Sequence, residues 1–255
     1  MASAGTTKRI FETINLVLAK NDGASFSFLQ SEMNIPKSSM HSIIKELCSI
    51  GVLYYNEKTK GYMIGSEFVQ LSARCMAQVN FVREINTAAS DLCSKANITV
   101  SAGILRDRHI IYIVEHLERA GSRLINVGLT FPAHTMSMGK VLLSTLDDDE
   151  LRTLYKDNRF EAYTDLTIKN MKELMAAVAE IRNQGYATDI GEFAPSIGCL
   201  SVPVYQGDKA VAALSVTTNV AMLTDEFIEE HLKLLRQAST EATRRMGGAL
   251  STSPF

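Results

Sequence analysis

One change of hydrophobic period constrains this chain more than any other feature. Up to Ala96 the apolar residues recur at helical spacing. From Ile98 they fall into short β-rich runs separated by turn residues. Thr7–Lys20 carries Ile10, Phe11, Ile14, Val17 and Leu18 on one face and ends at Asn21-Asp22-Gly23, so it predicts an amphipathic helix stopped by a turn. A short helix over Ser27–Met33 follows, with Phe28 and Leu29 inward. Asn34-Ile35-Pro36 breaks it, and Pro36 suits the first turn of a third helix over Lys37–Ile50. That helix turns Met40, Ile43, Ile44, Leu47 and Ile50 inward, and Gly51 caps it. Val52–Tyr55 and Gly61–Ile64 flank the polar tip Asn56-Glu57-Lys58-Thr59-Lys60 and predict a hairpin.

The outer face of the third helix indicates a partner. It presents Lys37, Ser38, Ser39, His41, Ser42 and Lys45, with no carboxylate before Glu46. A solvated helix mixes both charge signs. A helix that enters a DNA groove sheds carboxylates, which phosphates repel, and keeps small donors that reach base edges. Three helices plus a hairpin with Lys58 and Lys60 at its tip predict a winged helix-turn-helix, the tip lysines lying near backbone phosphate.

Charge agrees with that division. The 255 residues carry a net charge of −2, which excludes a polycation that coats nucleic acid along its whole length. Residues 1–80, however, hold eight Lys/Arg against six Asp/Glu, and residues 81–255 hold 18 against 22, so a slightly basic module precedes an acidic body. The sequence has no apolar run of the roughly 20 residues that a membrane helix needs. The start lacks the apolar core of a signal peptide, so no membrane partner and a cytoplasmic location are expected. Cys48, Cys75, Cys93 and Cys199 form no C-x-x-C pair and read as free thiols.

Beyond the third helix, Ser66–Gln78 places Phe68, Leu71, Cys75 and Met76 at helical spacing and reads as a connector whose apolar face needs a cover. Phe81–Ala96 is a further helix. Ile98–Leu105 and His109–His116 flank Arg106-Asp107-Arg108, a hairpin whose tip arginines read as solvated, and Leu124–Val127 reads as another strand. Short helices over Ser137–Leu146 and Asp148–Lys156, a clear helix over Met171–Gln184 capped by Gly185, strands over Tyr186–Ile190, Cys199–Tyr205 and Ala210–Thr217, and a last helix after Thr224 complete an α+β domain. The expected organisation is a winged helix-turn-helix over 6–65, a connector helix over 66–80 and an effector-binding domain over 81–248.

Two segments carry a family resemblance. Gly185-Tyr-Ala-Thr-Asp189-Ile-Gly-Glu192-Phe-Ala-Pro-Ser-Ile-Gly-Cys199 resembles the signature of the IclR family of bacterial transcriptional regulators in its spacing of Gly, Asp, Glu and Cys. Phe131-Pro-Ala-His134-Thr-Met-Ser137-Met138-Gly139-Lys140 is similar to a second family stretch. The likeness extends over about residues 6–248. It implies a GAF-like antiparallel-sheet effector domain, a dimer or tetramer, a palindromic double-stranded DNA operator, and a small organic acid (keto, sugar or aromatic) as effector, with no cofactor. It also implies an effector pocket at Phe131, Ser137, Met138, Asp189, Ile197, Cys199, Ser215 and Thr217. The sequence departs from the family at Ser137-Met138, where a small Gly-Ala pair is usual, and at Ser42, where Arg is frequent.

The chemistry of those positions is coherent. Ser215 and Thr217 lie two apart on one strand and face the same side. Backbone N–H groups near Ser137-Met138 would suit a carboxylate. Asp189 is ill matched to an anion and better accepts a ligand hydroxyl or fixes neighbouring donors. No catalytic constellation is apparent: Cys199 has no histidine partner at recognisable spacing and reads as pocket wall. His134 could touch a ligand or satisfy a loop carbonyl. His109 and His116, an odd number of residues apart on one strand, are expected on opposite faces, which disfavours a shared metal. Asp147-Asp148-Asp149 reads as a helix N-terminus rather than a calcium loop.

Overall fold

The computed structural model describes residues 3–78, 80–118 and 127–246. The chain divides into two compact units, residues 1–79 and 80–255. The expected strand over Leu124–Val127 lies, but for Val127, outside the described residues, as do the last two positions of the expected effector domain. Val127 itself is in a turn.

The first unit is helical with one hairpin: Ser3–Leu18 (α1), Phe26–Met33 (α2), Lys37–Ser49 (α3), Leu53–Asn56 (β1), Gly61–Ile64 (β2) and Ser66–Gln78 (α4). Ser25 caps α2 by accepting from the Phe28 N–H at 3.2 Å, and Asn34 ends it in the left-handed region at φ 47°. Ile14, Val17, Leu29, Met40, Ile43, Ile44, Leu47 and Leu53 form one core. Two sequence expectations fail here. Phe11 and Leu18 are 62% and 54% exposed, and Ile50, expected inward on α3, is 56% exposed. The buried stripe of α1 is narrow and passes through Thr13, whose hydroxyl donates to the Arg9 carbonyl and so enters the core without an unpaired polar atom. Ile50 falls at the C-cap, where the chain leaves the helix for Gly51 at φ +73°.

The second unit is a six-stranded antiparallel sheet between helices. Asn80–Ala96 (α5) leads into Thr99–Arg106 (β3), His109–His116 (β4) and Thr130–Pro132 (β5). A 3₁₀ turn at Ala133–Thr135 precedes Ser137–Leu143 (α6), Asp148–Leu154 (α7) and Met171–Gln184 (α8). Ala187–Ile190 (β6), Ile197–Gln206 (β7), Lys209–Asn219 (β8) and Asp225–Arg245 (α9) follow. The strand order is β5-β4-β3-β8-β7-β6. Val100, Ala102, Leu200, Val202, Leu214 and Val216 turn one sheet face to Ile85, Ala89, Leu92, Leu235 and Ala242 of α5 and α9. The opposite face meets α6, which packs in turn on α8 through Val141, Leu142, Leu174 and Val178.

Residues on that second face are small or polar. Antiparallel register aligns Asp189, Cys199, Thr217 and Thr99 in one row across β6, β7, β8 and β3, and Ser201, Ser215 and Ser101 in the next. Directly opposite residues share a face, so this face forms a polar floor under α6. A bulge between Ala102 and Gly103 shifts the β3–β4 register. It puts Ile110 and Tyr112 in the α6-side core while Val114 joins the α5 side. His116 lies on the α5 side, whereas His109, at the other end of the strand, borders a cleft with Tyr155 and Phe160 of the α6-side core. The two are separated by most of the strand, and His116 Nε2 is 3.1 Å from Asn86 Oδ1 of α5. Among the described residues no group of three or more His, Cys, Asp or Glu is placed to hold a metal, and no helix is long and apolar enough to cross a membrane.

Candidate functional site

Two surfaces gather the residues singled out in the sequence. On the first unit, Lys37, Ser38, His41, Ser42 and Lys45 are exposed along α3, with Ser39 half-buried. Pro36 is the N-cap of α3, so the helix presents its cationic first turn immediately after the α2–α3 break. The His41 ring is not wholly free: it lies 6.4 Å from the Phe26 ring. Lys58 and Lys60 stand exposed at the hairpin tip. Asn56 shapes that tip, its side-chain carbonyl accepting from the Lys58 N–H at 2.9 Å. Lys60 adopts φ 53°. Tyr62 exchanges two backbone hydrogen bonds with Ala24, at 2.8 and 3.0 Å, which pins the hairpin to the segment between α1 and α2.

On the second unit, the polar floor meets the start of α6. Ser137 Oγ and Ser201 Oγ lie 2.7 Å apart, tying α6 to β7. Cys199 Sγ lies 3.5 Å from Thr217 Oγ1, and Ser215 Oγ donates to the Leu200 carbonyl at 3.3 Å. Asp189 is 1% exposed. Its Oδ1 accepts from the Glu192 N–H at 2.7 Å, while Oδ2 is buried with no partner among the described residues. Lys140 of α6 pairs with Glu192 Oε1, both side chains being nearly buried, and Glu192 Oε2 likewise lacks a partner. Thr164 and Thr167 hold this loop by donating to the Gly191 and Glu192 carbonyls, where Gly191 takes φ +74°. An aromatic wall closes the side: Phe131 meets Tyr112 at 5.6 Å and Phe193 at 5.1 Å, both edge-on. A cavity of about 600 Å³ opens where the floor ends, bordered by Thr99, Ile197, Thr217 and Phe227.

Burial dominates the electrostatics. It pushes the Asp189 carboxyl up to about 7, with the nearby Glu192 carboxylate adding to the effect, and Lys140 and the Glu192 N–H opposing it. The Glu192 carboxyl is raised as well, by burial, against the pull of Lys140. The Cys199 thiol is raised to about 12, chiefly by burial, so it stays protonated near neutrality and is no nucleophile. His134, the alternative ligand contact, faces the Glu161 carbonyl at 3.0 Å, and burial lowers its pKa.

The row register brings Asp189, Cys199 and Thr217 together, with Ser215 one row on and Ser137 joined through Ser201. Met138 is buried, and Gly103 leaves room for its sulfur: a Cβ built there would come within 3.4 Å of it. Sequence reasoning missed Ser201, Lys140, Glu192 and Tyr112. Ser201 was recoverable, being two residues from Cys199 on one strand. Lys140 carried a weaker signal, a lone cation in the apolar run of α6. Two smaller readings resolve as well. Asp147 caps α7 in a reciprocal pair with Glu150, at 2.7 and 2.9 Å. Arg108, expected to be solvated, instead forms a two-pronged pair with Asp157, at 2.6 and 3.2 Å.

A family model described as the C-terminal region of the bacterial transcriptional regulator IclR matches residues 73–244. The HTH-type transcriptional regulator XynR of Escherichia coli K12 is 26% identical over 245 residues, 95% of this chain and 97% of XynR. An IclR transcriptional regulator from Alicyclobacillus acidocaldarius shares the fold with a TM-score of 0.85 at 21% identity, covering 95% of this chain and 99% of that one. An IclR homologue of Microbacterium hydrocarbonoxydans, solved with 4-hydroxybenzoate, does so with a TM-score of 0.82 at 17% identity, covering 95% and 98%.

Proposed function

The chain belongs to the IclR family of bacterial transcriptional regulators, and from that premise we propose that its first unit is a winged helix-turn-helix reading a palindromic operator, while a small organic acid bound to its second unit modulates that reading. In this reading α3 enters the major groove with Lys37, Ser38, Ser39, His41, Ser42 and Lys45. Lys58 and Lys60 touch backbone phosphate beside it. One unit carries few cations, so two units of a homo-oligomer on two half-sites supply the affinity.

The effector site is the polar floor under α6. The observation that carries it is the aligned row Asp189, Cys199 and Thr217 beside Ser201 and Ser215, roofed by Ser137 and walled by Phe131. The hydroxyls can donate to a carboxylate. Asp189 Oδ2 and Glu192 Oε2, buried without partners among the described residues, call for a ligand that also brings a hydroxyl, which can accept from a protonated carboxyl as well as donate to a carboxylate, because a buried polar atom left unpaired is costly. The effector is therefore a hydroxylated acid rather than a bare keto acid. 4-Hydroxybenzoate, held by the Microbacterium homologue, combines both groups. Ligand binding biases the arrangement of paired DNA-binding units only insofar as it favours one arrangement over another.

Fluorescence anisotropy with a palindromic operator, with and without a panel of hydroxy, keto and sugar acids, tests both halves. Lys37→Ala, Lys45→Ala and Lys58→Ala should each weaken binding and reduce the salt slope by about 0.9 for each lost phosphate contact. Unchanged affinity in all three would remove α3 and the hairpin tip from the interface. Ser215→Ala/Thr217→Val should abolish the response to the active acid while leaving basal operator binding intact. A response that persists would place the effector elsewhere.

A further inference from the structure

A second cleft borders the segment that supplies Phe131 and Ser137, through Pro132 and His134, and neither the operator nor the effector reading uses it. It has a volume of about 500 Å³, and its lining includes Arg108, His109, Tyr155, Arg159, Phe160 and Lys169. We propose that this cleft binds a small oxyanion, separately from the Asp189–Cys199 site.

Three observations carry the proposal. The first is charge. Arg108 is neutralised by its two-pronged pair with Asp157, but among the described residues no carboxylate lies within ion-pair distance of the Arg159 or Lys169 side chain. Lys169 Nζ donates to the uncharged Asp165 carbonyl, and the nearby Glu173 carboxylate bonds the Lys169 N–H rather than its ammonium. Glu161 also lines the cleft, its backbone carbonyl facing His134 Nε2 at 3.0 Å. The cleft thus offers a guanidinium and an ammonium in no ion pair, with Asp157 and Glu173 near enough to feel them, and His109 in the same lining, which is the donor set an oxyanion recruits.

The second is an unpartnered donor. Tyr155 is 3% exposed, and its hydroxyl has no hydrogen-bond partner among the described residues. A buried hydroxyl left unpaired costs free energy that a ligand acceptor would recover. The third is preorganisation. The Tyr155 and Phe160 rings stack 4.9 Å apart at 11°, His134 meets Phe160 edge-on at 5.2 Å, and Arg108 sits 5.5 Å over the Tyr155 ring, anchored there by Asp157. The wall is built rather than fluid, and its aromatic surface can pack against the carbon skeleton of a small metabolite while the cations take its anionic group.

Phosphate and carboxylate share this chemistry, and titrations of the ¹⁵N-labelled full-length protein with inorganic phosphate, glycerol 3-phosphate and glycerate distinguish them. Binding should perturb the amide signals of Tyr155, Arg159, Phe160 and Lys169 and weaken with added salt. Tighter binding of the two phosphates makes the ligand a phosphate; tighter binding of glycerate makes it a carboxylate. Arg159→Gln/Lys169→Gln, both changes at the cleft rim, should reduce affinity about tenfold, the scale of a lost charge-assisted contact. Ser215→Ala/Thr217→Val should leave it unchanged. Equal affinity in the Arg159/Lys169 variant, loss of binding in the Ser215/Thr217 variant, or no shifts with any of the three anions at millimolar concentration would overturn the proposal.

Discussion

Asp189 concentrates the chemistry of the second unit. Its carboxyl is held near 7 by burial, well above its ordinary range, so between roughly pH 4 and 7 the folded chain keeps a proton that the unfolded chain has released. The stability this contributes is complete below the unfolded pKa and is lost as pH rises through the folded one. Glu192, raised in the same direction, adds to the trend. Asp189→Asn keeps the oxygen that accepts from the Glu192 N–H and removes the titration. Chemical denaturation as a function of pH should therefore show a flatter profile between pH 4 and 7 in the variant, and a gain at pH 8 of roughly 2–4 kcal/mol relative to wild type. A parallel pair of profiles would mean that Asp189 is ionised throughout. The same proton acts on the ligand. An anionic effector binds best when Asp189 is neutral, so its affinity should decline above about pH 7, by up to about tenfold per unit, and calorimetry on Asp189→Asn should show that decline removed.

At the scale of elements, the site depends on how closely α6 approaches its neighbours. Gly139 sits against the 3₁₀ turn, where an added Cβ would fall within 2.0 Å of the Ala133 carbonyl oxygen. Backbone cannot yield as the end of a side chain can, so Gly139→Ala must move α6 away from the turn and disturb the Ser137–Ser201 contact. The expected outcome is a loss of about 1–3 kcal/mol together with weakened effector binding. A variant as stable as wild type in thermal melts would mean that the turn relaxes without cost. The bulge in β3–β4 acts at the same scale. By switching which face Tyr112 and Val114 occupy, it delivers an aromatic residue to the site from a strand that otherwise serves the α5 core.

For the whole molecule, the decisive fact is that the two units have separate cores. Leu29 and Met40 belong to one, and none of their core neighbours appears in the two clusters of the second unit. Leu29→Ala should cost about 2–5 kcal/mol in the first unit and abolish operator binding, while effector binding to the second unit survives. Loss of both activities would show the units to be one cooperative structure. Net charge takes its meaning at this scale too. The overall −2 averages a slightly basic first unit and an acidic second one, so on the proposed function operator affinity should fall steeply with salt although the chain as a whole is acidic.

Much of this was legible in the sequence because it is local. Helix starts and stops follow from Pro36, Asp147, Thr224 and Gly185, whose backbone and capping preferences act within a few residues. The cationic face of α3 and the pairing of Ser215 with Thr217 follow from periodicity alone. What tertiary structure decided is which of several chemically equivalent residues meet. Phe11, Leu18 and Ile50 satisfy the helical pattern, yet the unit's core has room only for the stripe through Ile14 and Val17. Strand alternation sets Tyr112 and Val114 on one face until a bulge, a matter of register between strands, parts them. Glu192 meets Asp189 locally, three residues on, but Lys140 and Ser201 reach the site only because α6, the loop after β6 and β7 converge across large sequence separations. The sequence by itself determined the elements and the charge each presents. The partners of its buried polar groups, and the carboxylate oxygens left without any, were decided by folding, because burial depends on what packs above a residue and not on its neighbours in the chain.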